Sequence, residues 1–187
     1  MELLGKLGGG FVLVCSIKEN ELPKCGLACS LGLTRFGVIF ISRHVFYDLR
    51  ISEELKRFII GHELAHIVRG HQILNAFRMK MGELLEETLK ARREKIADIF
   101  SGIIDFMFRL IAATAIIGLD IQIVRQEELE ADKLSIELTG CKGALEFAEM
   151  LNSLKERLNM DISHESFLGI PALTLSERTN AIRALCG

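Results

Sequence analysis

The chain has 187 residues, 49% of them hydrophobic and 26% charged, with a formal net charge of -2. That length supports one domain with a substantial core, and that composition argues against a disordered chain. The balanced charge, the lack of tryptophan and the single tyrosine argue against a nucleic-acid surface or a base-stacking platform.

The first residues, "MELLGKLGGG", are a poor secretory leader: one lysine and a short apolar stretch broken by glycines. "FVLVCSI" (11–17) is apolar and rich in β-branched residues, so a strand is expected, followed by a turn over "ENELPK". "CGLACSLGL" and "FGVIFIS" read as two further short strands joined around Thr34 and Arg35. The five cysteines (15, 25, 29, 141 and 186) are odd in number and scattered. They are expected to be small buried apolar residues, in keeping with a reducing compartment.

The period changes after "DLRI". Ser52 is a plausible N-cap with Glu53 and Glu54 in the first turn, and Leu55, Phe58 and Ile59 follow at helical spacing. Continuing that ladder lands on His62, Ala65 and His66, so two histidines occupy core-facing positions. A charged helical stretch is expected over 72–98. The very apolar stretch 99–124 carries Asp105, Arg109 and Asp120, too many charges for a clean membrane span of ~20 residues. A buried helix is the preferred reading, with Asp105 and Arg109 paired on one face. A helix that touches a membrane or a second copy is the alternative. Helices are expected over 125–139, stopped by Gly140, and over "GALEFAEMLNSLKERL". A loop then leads to a closing helix capped by Ser176.

His62 and His66 lie four apart, so on a helix both rings point to one side, close enough to hold one ion. Glu63 lies about 100° round the helix, where it can reach a water at that ion without being a ligand. This is the HExxH arrangement. A third protein ligand is needed. His71 is the nearest candidate, but it lies about 140° from His66 on an unbroken helix, and it is rejected. Its expected role is that of a helix C-terminal residue favoured by the dipole. A glutamate from a later helix is the other solution. Both "EKIAD" (94–98) and "ELEAD" (128–132) place a glutamate and an aspartate on one face. One carboxylate could bind metal while the other accepts the N–H of a ligating histidine. Spacing does not choose between them, and the apolar face of the second helix centres nearer Glu127 than Glu128.

"HELAH" (62–66) and "RQEELEAD" (125–132) resemble the HtpX-like and CAAX-prenyl-protease group of zinc metallopeptidases, which are gluzincins. Arg125, Glu128, Ala131 and Asp132 match the group's second motif, whereas the 94–98 copy has Ala91 where the arginine belongs. "GVIFIS" and "ADKLSIELTGCKGALEFAEML" extend the likeness over roughly 10–185. The resemblance implies one zinc ion per chain held by His62, His66 and Glu128, with Glu63 as general base and Asp132 as partner of a ligating histidine. It also implies hydrolysis of peptide bonds in a peptide or unfolded protein bound as an extra strand along 26–33. Arg178 would lend charge to the oxyanion. "GIPALTLSER" lacks the group's histidine before that arginine, and His164 is a candidate substitute.

The expected fold is α+β and mainly α, as a single zinc metallopeptidase domain over 1–187. A small antiparallel or mixed sheet of about three strands (10–42) packs on the HExxH helix and a C-terminal helical bundle (52–187). The expected location is cytoplasmic, peripheral to a membrane if 99–124 touches one. The alternatives are a latent peptidase with a covered zinc site, or a structural zinc protein with four protein ligands.

Overall fold

In a computed structural model, the structure describes residues 10–18, 27–34, 36–71, 76, 79–80, 82–84, 87, 99–159, 161, 164–165 and 171–187. For 99–105 only the backbone is described, so a pairing of Asp105 with Arg109 lies outside the described side chains. The expected "ENELPK" turn, Cys25 and the "EKIAD" segment also lie outside, as does most of 72–98.

The fold is α+β and mainly helical, as expected. Strands β1 (Phe11–Ile17), β2 (Ala28–Leu33) and β3 (Phe36–Ser42) form a mixed sheet in the order β1-β3-β2. β3 runs parallel to β1 and antiparallel to β2, so among the described residues β2 lies at one side of the sheet. Alternation along β3 turns Ile39 and Ile41 inward, where both are buried.

Helix α1 (Arg43–Tyr47) follows at once, and α2 (Glu53–Arg69) carries the HExxH segment. Ser52 caps α2 as expected, its side chain accepting from the Leu55 N–H at 3.0 Å. The helix ends at Gly70, whose left-handed backbone (φ 69°) is favoured by a residue without Cβ. Leu55, Phe58 and Ile59 of α2 are buried with Ala28 and Ile41 of the sheet. The same cluster takes in Ala144, Phe147, Ala148 and Leu151 of α4 (Cys141–Leu158) and Leu175 and Ile182 of α5 (Leu175–Cys186). Full burial of a side chain such as Phe58 is worth about 1.5–3 kcal/mol.

Several expectations are corrected. The helices expected over 99–124 and 125–139 are one 41-residue helix, α3 (Ile99–Thr139): it contains no proline, and Gly118 is carried in its interior without ending it. The apolar part of α3 is not buried: only 11% of its most apolar 18-residue window is covered, and Phe106, Phe108, Ile111 and Leu119 are exposed. By length and composition this helix could cross a membrane. The closing helix is capped by Thr174 rather than Ser176, in a capping box with Glu177. Finally, Cys141 and Cys186 are bonded as a disulfide across 45 residues rather than free, tying the start of α4 to the end of α5. Between them, the stretch expected to be a loop contains the two-stranded pair β4 (His164–Glu165) and β5 (Pro171–Leu173).

Candidate metal centre

The site lies where α2 crosses α3. Gly61 permits the close approach: a Cβ there would meet Ser135 Oγ at 2.6 Å. Ser135 donates to the Phe58 carbonyl at 2.7 Å and fixes the crossing. One and two turns back along α3, Asp132 and Glu128 share the face of Ser135, so the crossing aims both carboxylates at the histidines.

His62, His66 and Glu128 come together, each offering one ligand atom within 4.8 Å of the others. His62 Nε2 lies 3.3 Å from Glu128 Oε2, and His66 Nε2 lies 3.3 Å from Glu128 Oε1. The two Nε2 atoms are 3.1 Å apart. Among the described residues, Glu128 Oε2 is buried and accepts no hydrogen bond of good geometry. Two imidazole nitrogens and a buried carboxylate oxygen with unused accepting capacity fit a cation better than they fit one another. Burial alone would raise the Glu128 pKa. His164, His62, His66 and Arg178 outweigh it and hold the carboxyl well below its usual range.

Asp132 lies behind His62, its Oδ1 2.8 Å from Nδ1. It also receives both arms of Arg178, with Nε donating to Oδ2 and Nη2 to Oδ1, each at 2.8 Å. Arg178, expected to lend charge to an oxyanion, is thus buried and engaged with carboxylates; its Nη1 is 3.4 Å from Glu128 Oε2. Burial and the Arg178 cation lower the His62 pKa, but Asp132 and Glu128 prevail and raise it to about 9. Glu63, the next residue along α2, is half-buried and lies within electrostatic reach of Arg178. Arg125 of the second motif pairs with Glu177 of the α5 capping box at 2.9 Å.

Two other histidines meet the site. His71 lies outside the His62/His66/Glu128 group. It is buried rather than a charged helix end, and burial pushes its pKa down to about 4. Gly70 turns the chain so that His71 Nδ1 lies 2.9 Å from His66 Nδ1. His164 on β4 also reaches the site, with Nε2 3.4 Å from Glu128 Oε2 and its side chain 36% exposed. Sequence spacing does not reveal the His71 contact; the glycine before it is its one local sign.

The model of peptidase family M48 matches residues 28–174, which is most of the chain. The chain therefore belongs to peptidase family M48, a family of metallopeptidases, and its His62/His66/Glu128 group is able to hold a metal ion. No curated protein and no solved structure matches it.

Proposed function

We propose that the protein is a zinc-dependent endopeptidase of the gluzincin type, close in character to the HtpX-like group. The observation that carries this reading is the convergence of His62 Nε2, His66 Nε2 and a Glu128 oxygen, with Glu63 beside them. A two-histidine, one-glutamate set suits zinc and leaves a position for water. When bound, zinc would acidify that water toward a pKa of ~7 and polarise a peptide carbonyl. Glu63 would take a proton from that water and return it to the leaving amine. Asp132 accepts from His62 Nδ1–H, which leaves Nε2 free to ligate, and Arg178 holds Asp132 in place. Substrate pairs as an extra strand along the β2 edge, through backbone hydrogen bonds that tolerate many side chains.

Glu63→Gln is expected to lower peptide cleavage by about 10²–10⁴-fold, the range of general-base catalysis, with zinc content unchanged. Cleavage at the parent rate would sink the mechanism.

His164 favours a second reading, that of a covered site. Its Nε2 lies 3.4 Å from Glu128 Oε2, and a fourth protein ligand there would make the site structural. The peptidase reading is preferred because His164 is not part of the converging group. The exposed apolar face of α3 completes the proposal as a contact for a membrane surface or a second copy.

A further inference from the structure

We infer that His71 is a positioning residue for His66, the counterpart on the second ligand of what Asp132 does for the first. This rests on the reading of His62, His66 and Glu128 as the metal-binding trio.

The two ligating rings face the same problem. Each must present Nε2 to the centre, so each must carry its proton on Nδ1, and a buried N–H needs an acceptor. For His62 the acceptor is Asp132 Oδ1 at 2.8 Å. For His66, Nε2 faces His62 Nε2 and Glu128 Oε1, and Nδ1 points the other way, to His71 Nδ1 at 2.9 Å. Two bare ring nitrogens repel and two protonated ones clash, so one must donate. With His66 ligating through Nε2, its Nδ1–H donates and His71 Nδ1 accepts. The proton of neutral His71 then sits on Nε2, which faces Glu130 Oε2 at 4.0 Å.

The chain is built to deliver this contact. His71 lies five residues after His66, a poor spacing for contact on a straight helix. The left-handed Gly70 ends α2 and folds the next residue back against the last turn. His71 is buried there, and its ring meets the His66 ring edge to face at 5.0 Å.

The test compares His71→Leu, which keeps bulk and removes the acceptor, with His71→Asn, whose Oδ1 stands near the place of Nδ1. Zinc affinity is read by chelator competition, and site geometry by the visible spectrum of the cobalt-substituted protein. Removing such an outer hydrogen bond typically costs about 10–100-fold in metal affinity. The expected result is that loss in His71→Leu with an altered cobalt spectrum, and near-parental affinity and spectrum in His71→Asn. Equal affinity in the parent and His71→Leu would overturn the inference, and so would equal weakening in both variants, which would mark His71 as mere packing. Nitrogen-15 correlation spectra of the zinc-loaded parent test it without any variant: His71 must be the Nε2–H tautomer, and a proton on its Nδ1 overturns the inference. A parent that binds no zinc would instead refute the underlying trio.

Discussion

At the scale of single residues, the site is governed by who holds which proton. His62 and His71 titrate in opposite senses in the metal-free protein. The His62 pKa is raised from 6.5 to about 9, so the folded chain keeps a proton that the unfolded chain gives up. That stabilisation is complete below pH 6.5 and is lost as pH rises through 9. The His71 pKa is lowered from 6.5 to about 4, so on acidification the unfolded chain takes up a proton that the folded chain resists. Stability from this source is lost as pH falls from 6.5 through 4. Thermal unfolding of chelator-treated protein should therefore give its highest Tm near pH 6.5, with a decline on both sides. A Tm that climbs steadily from pH 6.5 to 9 would contradict the charge assignment. Zinc needs His62 deprotonated, so the Tm gap between zinc-loaded and chelated protein should widen from pH 6.5 to 9. The residues of this network were unequally legible in the sequence. His62 and His66 stood out because they continue an apolar ladder set by Leu55, Phe58 and Ile59. The His66–His71 contact did not, because a left-handed residue between them breaks the periodicity on which such readings depend.

At the scale of elements, the crossing of α2 and α3 makes the site, and Gly61 makes the crossing. Adding a methyl group there forces Ser135 or the helix to move. Gly61→Ala should cost about 1–3 kcal/mol, as overpacking does. Because Glu128, Asp132 and Ser135 share one face of α3, the same shift should weaken zinc binding. Urea unfolding and chelator competition measure the two effects, and parental values in both would show that the helices have slack. The choice of Glu128 over Glu127 also belongs to this scale. Both are buried, but only Glu128 lies on the face of Asp132 and Ser135 that meets α2. The apolar pattern of α3 alone pointed nearer Glu127, because it averages over contacts with several neighbouring elements. The sequence suggests two helices here rather than one for a related reason. Its apolar and charged halves differ in composition, but no proline separates them, and the one glycine near the junction, Gly118, is tolerated inside the helix.

At the scale of the whole molecule, two apolar surfaces among the described residues face outward. On the sheet, Phe11, Phe36 and Leu33 form one cross-strand row and Leu13, Val38 and Leu31 the next; all but Val38 are among the exposed large hydrophobics. On α3, Phe108 and Ile111 are three apart and Leu119 is eleven beyond Phe108, which puts all three toward one side of the helix. Phe108→Lys combined with Ile111→Lys should release the protein from vesicles, or convert a self-associated form to monomer, in sedimentation with and without lipid. A parent that is already monomeric and ignores vesicles would show that this face has neither partner. The strand positions and the mixed sheet were readable from short β-branched runs, whereas the Cys141–Cys186 bond was not, since the two residues are 45 apart and meet only when α4 and α5 pack.

The central claim is that α2 supplies two ligands and a base while α3 supplies the third ligand. A crystal structure of the zinc-loaded Glu63→Gln protein, with anomalous data at the zinc edge, tests it most directly. The account predicts one peak bonded to His62 Nε2, His66 Nε2 and a Glu128 oxygen, with the substituted side chain at position 63 beside it but not bound. A peak bonded to Glu94 or Glu127 in place of Glu128, or no peak between the two histidines, would contradict it.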